Sequence, residues 1–289
     1  MRKRMLALLA MMLAVILASA GGAAWAAEET VRFPALHDGV ELVGYLFLPR
    51  DVARPVPALV LMHGRAGAYS SAAKGVYTAK TLSQRHRQWA QWWADQGYAA
   101  LIVDGFGPRG YPAGFGRFTY KDRPAELDET EARPQDAYAG LRYLRGRPEI
   151  AGARIGIMGW SNGGSTVLAA MARNAPGLAQ LGGPEYGFRA GLALYPGCGL
   201  KDKFKTGLLP YAPTRIYAAE NDDEVSSKTC LTLTERSRAR GADLAAHVYP
   251  GAVHGFDDPA PARQAVPANR DATADVAVQA LAFFAERLK

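Results

Sequence analysis

Metal-ligating side chains are scarce in this sequence. Its 289 residues include only two cysteines and five histidines, and these are widely dispersed along the chain. Because a zinc site needs such ligands at close spacing, the sequence predicts no metal site, and no segment calls for an organic cofactor. We therefore expect any activity to survive chelators such as EDTA.

Features of nucleic-acid-binding proteins are also missing. The formal net charge is +7, but the basic residues are scattered over predicted helices instead of forming a platform with aromatic residues. A solvated basic helix face explains this distribution. With no binding motif present either, the sequence predicts no nucleic-acid partner.

The first 26 residues have the pattern of a secretory signal peptide. A basic start, Met1–Arg4, precedes the uncharged run Met5–Ala18 and an Ala-Trp-Ala end at positions 24–26. The uncharged run is shorter than the roughly 20 residues that span a membrane, so cleavage after Ala26 is favoured over a retained anchor. Cleavage would lower the formal charge from +7 to +4. We expect a periplasmic or secreted protein with no stable membrane insertion.

The two cysteines are Cys198 and Cys230. In an exported protein an even pair favours a disulfide, with two buried free thiols as the alternative. Closing a loop of about 30 residues would stabilise the fold by roughly 3–4 kcal/mol in the chain-entropy model.

Short apolar segments alternate with longer amphipathic ones through most of the chain. An Asp-Gly turn joins Val31–Leu36 to Glu41–Leu48 as a predicted hairpin. Six further apolar segments predict buried, mostly parallel strands: Ala58–Met62, Ala99–Val103, Arg154–Trp160, Gly191–Tyr195, Arg215–Ala219 and Leu244–Tyr249. Amphipathic segments predict the helices Leu82–Gln96, Pro134–Arg145, Gly164–Arg173, Ser227–Arg240 and Ala272–Leu288. We expect one α/β domain over residues 27–289, with about eight strands and helices on both faces of the sheet.

One serine occupies the turn between a predicted strand and a predicted helix. Gly159-Trp160-Ser161-Asn162-Gly163 fits the pattern G-x-S-x-G, which in this context presents a strained, exposed nucleophile. The flanking glycines avoid collisions with the neighbouring strand and helix. The following helix directs its N-terminal amides towards developing negative charge. A simple tight turn is the alternative interpretation.

A serine nucleophile needs a base and an acid, which on this architecture follow it in the order acid, histidine. Asp222 comes directly after the strand ending at Ala219 and is the preferred acid, with Asp223 as the alternative. His254 lies in the loop after the last strand and is the predicted base. The other four histidines have expected structural or solvated roles: His37 in a turn, His63 in a loop, His86 on a helix and His247 in a strand.

Acyl transfer also needs donors for the developing oxyanion. One predicted donor is the backbone N–H of Asn162, next to the serine. The other is the backbone N–H of Arg65, in a loop where Gly64 and Gly67 permit close approach of the backbone. For substrate contacts the sequence offers Arg109, Trp160 and Phe106. Each of these three could equally pack, or in the case of Arg109 form a loop salt bridge.

The chain resembles the dienelactone hydrolase family of α/β-hydrolases from about Glu29 onwards. Four segments carry the resemblance: LMHGRAG at 61–67, VDGFGPRG at 103–110, GWSNGG at 159–164 and YPGAVHGF at 249–256. It implies an α/β-hydrolase fold with Ser161, Asp222 and His254 at the nucleophile, acid and base positions. The segments at 195–198 and 222–225 fit an exported subgroup of this family.

Two departures from the founding enzymes bear on activity. Those enzymes have a cysteine nucleophile and a glutamate in the loop after the third strand, whereas this chain has Ser161 and the run Met62-His63-Gly64. A hydroxyl needs no partner that suppresses a thiolate, so the two changes are chemically consistent. They favour general ester, lactone or thioester hydrolysis over strict dienelactone activity.

Three functions are therefore weighed. The sequence favours an exported serine hydrolase of carboxylic esters or lactones, acting through an acyl-enzyme on Ser161 with a small-molecule substrate and water. A prolyl-oligopeptidase-like peptidase is the enzyme alternative, because that class also uses Gly-Trp-Ser-x-Gly-Gly. A binding module that retains the fold is the third, although such scaffolds typically lose part of the triad.

Overall fold

The computed structural model describes residues 27–50, 54–120 and 123–288. The predicted signal peptide, residues 1–26, lies outside the described residues. In the part of the chain that is described, no helix is both long enough and apolar enough to cross a membrane.

Eight strands form one sheet in the order β1-β2-β4-β3-β5-β6-β7-β8. The first two strands and β4 pair antiparallel, and every other pairing in the sheet is parallel. The strands are β1 (Ala27–Pro34), β2 (Glu41–Leu48), β3 (Val56–Met62), β4 (Ala99–Asp104), β5 (Ile150–Trp160), β6 (Gly191–Leu194), β7 (Thr214–Ala219) and β8 (Leu244–Tyr249). The predicted fold class, a mostly parallel α/β sheet of about eight strands, is confirmed.

In the described part of the chain, six α-helices connect or follow these strands. They are α1 (Gln84–Asp95), α2 (Ala132–Arg145), α3 (Asn162–Met171), α4 (Ser227–Arg238), α5 (Pro261–Gln264) and α6 (Pro267–Arg287). Residues on the two faces of the sheet belong to two separate buried clusters. Central strands such as β4 are buried at every position, as expected for strands covered by helices on both sides.

The predicted elements all exist, and the differences lie at their ends. The last helix begins at Pro267, five residues before its predicted start. Proline is favoured in the first turn of a helix, where its missing N–H costs nothing. Helix α2 begins at Ala132, two residues before its predicted start at Pro134. Pro134 therefore also lies in the first turn, where N–H groups have no partner within the helix.

The topology brings the ends of the parallel strands to one edge of the sheet. β5, β6, β7 and β8 are consecutive neighbours, and β3 lies next to β5 on the other side. The loops that leave β3, β5, β7 and β8 therefore meet above this edge. In open parallel sheets this edge is where ligands bind.

Candidate active site

Ser161 lies at the sharp turn between β5 and α3. Its backbone has φ 53° and ψ −117°, a left-handed conformation that a non-glycine residue adopts only under strain. Two glycines make the turn sterically possible. A Cβ at Gly163 would lie 2.0 Å from the carbonyl oxygen of Met62, and one at Gly159 would lie 2.4 Å from the carbonyl oxygen of Gly163. The turn is therefore packed directly against the end of β3.

The loops after β5, β7 and β8 bring three polar side chains into one hydrogen-bonded chain. The Nε2 atom of His254 is 2.9 Å from the Oγ atom of Ser161. Its Nδ1 atom is 2.8 Å from Oδ2 of Asp222. All three residues are those that the sequence put forward, in the predicted order. This geometry can pass a proton from the hydroxyl to the imidazole.

The structure distinguishes the two carboxylates between which the sequence left a choice. The Asp222 side chain is buried, and its Oδ1 accepts the backbone N–H groups of Glu224 and Val225, both at 2.9 Å. These bonds fix the Asp222 carboxylate, which accepts the Nδ1–H of His254. With its proton on Nδ1, the neutral imidazole has Nε2 free to accept the Ser161 hydroxyl. Asp223 instead is 62% exposed and pairs with Arg117.

The loop after β3 approaches the serine from the other side. A Cβ at Gly64 would lie 3.3 Å from the carbonyl oxygen of Trp160 and 3.5 Å from the Cβ of Ser161. The carbonyl of the next residue, Arg65, accepts the backbone N–H of Phe115 at 2.8 Å. The Arg65 amide thus belongs to a braced loop beside Ser161, and the Asn162 amide begins α3 on the serine's other side.

An ion pair between Arg65 and Glu224 lies beside Ser161. Arg65 donates from Nε and Nη2 to the two carboxylate oxygens of Glu224, at 2.8 and 2.9 Å. Burial alone would raise the pKa of Glu224, but the hydrogen bonds and charge of Arg65, with the charge of Arg117, hold that pKa below its usual value. Glu224 Oε2 also lies 3.9 Å from Nε2 of His254. The acid loop and the loop carrying Arg65 are thereby tied together.

Two cavities flank Ser161, and Arg65 and Glu224 line both. One has a volume of about 190 Å³ and the other of about 210 Å³. The lining of the first also includes Tyr69, Arg85, His86, Asp258 and Arg263. The second is lined by Phe118, Tyr120, Arg123, Ser165, Gly197 and Val225, in addition to Asn162. The ion pair thus stands between two small compartments that share the serine.

The three side chains suggested for substrate contact lie away from these cavities. Trp160 and Phe106 are fully buried, because each packs in the core next to a turn. Arg109 is only 3% exposed and forms the loop salt bridge that was its alternative, with bidentate bonds to the buried Asp136 and a further bond to Asp38. None of the three lines a described cavity at Ser161, so the structure gives no support to a substrate contact by any of them.

Histidines other than His254 are placed in structural or exposed positions. His63 is fully buried, and burial, followed by the charge of Arg133, holds its pKa well below the usual value. His86 is also buried, which excludes the solvated position considered for it. Burial and the neighbouring Arg85 charge lower the pKa of His86 to about 4. His247 lies exposed in the edge strand β8, and His37 lies between β1 and β2.

A second buried carboxylate, Asp257, lies close to the base and is not predicted from the sequence. Asp257 accepts the indole N–H groups of Trp89 and Trp160, both at 2.8 Å, and the hydroxyl of Tyr195. The Tyr195 ring packs edge-on against His254, with ring centroids 4.8 Å apart. The Asp257 network thus fixes the Tyr195 ring, which packs against the imidazole of His254. The only signal in the sequence was its position three residues after His254.

The expected disulfide between Cys198 and Cys230 is present. It ties the loop after β6 to helix α4. Gly197, next to Cys198, lines the second cavity and exchanges two hydrogen bonds with the Ser165 hydroxyl, at 3.0 and 3.1 Å. Within the described residues, no group of three or more His, Cys, Asp or Glu side chains is arranged to hold a metal ion.

The fold is shared with several hydrolases of known structure. A dienelactone hydrolase-like promiscuous phosphotriesterase from metagenomic libraries superposes with a TM-score of 0.64 at 18% identity, covering 92% of this chain and 100% of that one. An esterase superposes with a TM-score of 0.62 at 17% identity, covering 90% of this chain and 81% of that one. Dipeptidyl peptidase 4 of Porphyromonas gingivalis gives 0.63 at 18% identity, covering 92% of this chain but 36% of the peptidase.

A family model places the chain within one group of these hydrolases. Residues 42–288 match the dienelactone hydrolase family. The match includes β2 to β8 and all three members of the hydrogen-bonded chain at Ser161. The resemblance noted from short segments therefore extends over most of the protein, which belongs to the dienelactone hydrolase family.

Proposed function

We propose that this protein is a serine hydrolase that cleaves carboxylic esters or lactones through an acyl-enzyme on Ser161. The observation that carries the proposal is the continuous hydrogen-bonded chain Ser161–His254–Asp222, with heavy-atom distances of 2.9 and 2.8 Å. Both distances lie within the range needed for proton transfer. The strained backbone of Ser161 supports the proposal further, because strain of this kind concentrates at functional sites.

Acylation begins when the Oγ atom of Ser161 attacks the ester carbonyl carbon. His254 Nε2 accepts the hydroxyl proton, and the carbonyl π electrons move onto the oxygen, which becomes an oxyanion. The backbone N–H groups of Arg65 and Asn162 donate to that oxyanion. Such donors act most strongly on the charge that develops in the transition state.

Collapse of the intermediate restores the carbonyl and breaks the bond to the leaving oxygen. That oxygen takes the proton from His254, and the alcohol departs. Water then attacks the acyl group as His254 accepts one of its protons. A second collapse breaks the bond from Ser161 Oγ to the acyl carbon, returns the proton to Oγ and releases the acid. Throughout both steps, Asp222 holds the imidazole in one tautomer and stabilises its charged form.

The two cavities favour small substrates. Each is smaller than the roughly 300–1,000 Å³ of pockets for drug-sized ligands, and both open onto Ser161. We infer that the acyl group and the alcohol group lie on opposite sides of the Arg65–Glu224 ion pair. A series of nitrophenyl esters should show turnover that falls sharply as the acyl chain lengthens.

A fluorophosphonate probe tests the nucleophile. It should add covalently to Ser161 of the wild-type protein, and the Ser161→Ala variant should lose both labelling and at least 10⁴-fold in ester turnover. Ser165→Ala is a matched control, because it removes the hydroxyl of the next serine along the chain, in α3, and should leave the labelling of Ser161 intact. Labelling that persists in Ser161→Ala at a different residue would overturn the assignment.

Peptidase activity is the second candidate, since dipeptidyl peptidase 4 has the same fold over its matching third. A panel that pairs peptide amides with nitrophenyl esters of the same acyl groups separates the two functions. Ester turnover should exceed amide turnover by a wide margin, whereas comparable rates would reverse the order. A protein inert towards every acyl substrate and probe would instead be a binding module.

We also infer that the protein is exported. The leader pattern of residues 1–26 and the Cys198–Cys230 disulfide support this location, because disulfides persist in oxidising compartments. Expression of the full chain in a Gram-negative bacterium should yield periplasmic protein whose first residue is Ala27. Recovery of uncleaved protein with reduced thiols from the cytoplasm would argue against export.

A further inference from the structure

Arg133 is a buried cation with no role in the chemistry described above. It lies in the first turn of α2 and is fully buried. Its guanidinium forms no ion pair within 4.0 Å among the described residues, although the charges of Asp136 and Glu129 act on it from farther away, and its Nε has no hydrogen-bond partner among those residues. A buried charge without a paired counter-charge is costly. An apolar side chain would avoid this cost, so the hydrogen bonds of the guanidinium indicate a specific role.

Both partners of the guanidinium belong to the segments that carry the proposed oxyanion donors. Nη1 donates to Oδ1 of Asn162 and Nη2 donates to the backbone carbonyl of His63, both at 2.6 Å. Asn162 supplies one donor with its own backbone N–H, and His63 stands two residues before Arg65, which supplies the other. The guanidinium thus joins the two segments from behind.

Neighbouring groups fix the position of the Arg133 guanidinium, and it stays charged at neutral pH. Its Cζ lies 4.9 Å from the ring centroid of Phe106, over the ring face. Burial lowers the pKa of Arg133 to about 10, which leaves the side chain charged at neutral pH. In a site of low dielectric constant, a nearby positive charge interacts strongly with a developing anion.

We propose that Arg133 is a positioning residue for the oxyanion hole. It fixes the separation of the Arg65 and Asn162 amides and places a buried positive charge behind them. This inference rests on the proposed serine-hydrolase function, because it assigns the oxyanion to those two amides. Its effect should appear in the transition state and not in the binding of the substrate.

Arg133→Lys is the first variant to test, because it retains the charge but cannot bridge two acceptors in the same way. Active sites are first titrated with the fluorophosphonate probe, so that rates refer to folded enzyme alone. Loss of one oxyanion donor costs about 10²–10³ in kcat. We expect Arg133→Lys to lose at least tenfold in kcat and Arg133→Gln about 100-fold, with KM changed less than threefold.

A trifluoromethyl ketone that matches the acyl group of the best ester gives a second readout. It forms a tetrahedral adduct with an oxyanion, so its inhibition constant should rise in Arg133→Lys by the same factor as kcat/KM falls. Loss of structure alone would lower the number of titrated sites and the Tm without this parallel change per site.

Arg109→Lys is the matched control. Arg109 is also a buried arginine bonded to α2, but it pairs with Asp136 and lies away from Ser161. We expect its Tm to fall while kcat per titrated site stays within threefold of the wild-type value. If Arg133→Lys fails to fold, Asn162→Ala replaces it, because that change removes only the acceptor and should lose about tenfold in kcat.

The inference is overturned if Arg133→Lys, or Asn162→Ala in its place, keeps kcat and the ketone inhibition constant within threefold of wild type. It is also overturned if Arg109→Lys loses as much kcat per site, since the effect would then be general. Failure of the wild-type protein to label at Ser161 would overturn the proposed function and this inference with it.

Discussion

Two buried carboxylates support the same histidine in different ways: Asp222 bonds to His254 directly, and Asp257 bonds to Tyr195, whose ring packs against His254. Asp222 accepts two backbone amides and the Nδ1 of His254, and its chain of bonds ends on the hydroxyl of Ser161, at the wall of two cavities. The donors to Asp257 among the described residues are neutral: two indoles and a phenol. The Asp222 network therefore ends at the hydroxyl of Ser161, whereas the Asp257 network reaches the same cavity only through Tyr195, whose hydroxyl accepts a hydrogen bond from Arg85.

The two networks therefore have different expected roles, one in the proton transfer and the other in holding side chains in position. A carboxylate that faces an imidazole stabilises the charge that forms when the imidazole takes a proton. A carboxylate surrounded by neutral donors holds aromatic rings in fixed positions and satisfies their buried polar atoms. Substitutions in the two networks should therefore change different measured quantities.

The largest contrast is expected for Asp222→Asn. The amide cannot stabilise the imidazolium and favours the wrong tautomer, so kcat should fall by about 10³–10⁴-fold. The shape is preserved, and the Tm should change by only a few degrees. Ester kinetics with titrated active sites measures the first quantity, and thermal unfolding measures the second. A loss of less than tenfold would place the catalytic acid elsewhere, with Asp223→Asn as the next variant.

A pH test of the packing beside the Asp257 network should have the next largest effect. His86 packs against Trp160 with ring centroids 5.2 Å apart, and its folded-state pKa of about 4 lies below its usual value of 6.5. The unfolded chain therefore binds a proton that the folded protein does not. The free energy of unfolding should be at its full value above pH 6.5 and fall by about 3 kcal/mol as the pH drops towards 4.

His86→Gln should remove most of this pH dependence in a urea unfolding series at several pH values. His247→Gln provides the control, because it changes an exposed histidine in the edge strand and should leave the slope unchanged. His63 contributes in the same direction as His86, so a residual slope is expected in both variants. An unchanged slope in His86→Gln would contradict burial of a neutral imidazole at this position.

The smallest effect is expected for Asp257→Asn. The amide retains one acceptor oxygen but leaves at least one of its three donors poorly paired, which costs about 1–3 kcal/mol in the free energy of unfolding. Because the Tyr195 ring still packs under His254, kcat should fall less than tenfold. Asp243→Asn, which breaks an exposed ion pair with Arg215, should cost under 1 kcal/mol. A loss of kcat equal to that of Asp222→Asn would erase the distinction between the networks.

The sequence was sufficient for the fold and for the residues of the proton chain. The strands appear as apolar segments, and their order brings the ends of β5, β7 and β8 together. Ser161 lies directly after β5 and His254 lies in the loop that follows β8, where loop residues carry function. Their catalytic roles remain predictions that the geometry supports.

The residues that support the site were out of reach for a physical reason. Arg133 bonds to Asn162 across 29 positions, Trp160 to Asp257 across 97, and Arg65 to Glu224 across 159. Arginines and aspartates are common in loops and helices, and local patterns do not indicate their partners. The same limitation left Arg109 open between a substrate contact and a loop salt bridge, and the structure pairs it with Asp136.

The acyl-enzyme itself provides the most direct test of the central claim. Wild-type protein mixed with a slowly deacylating nitrophenyl ester, quenched in acid during turnover and digested, should yield a peptide heavier by one acyl group at Ser161. The Ser161→Ala variant should yield none. Turnover of the ester by the wild-type protein with no acylated Ser161 peptide at any quench time, or with the acyl group on another residue, would contradict the account.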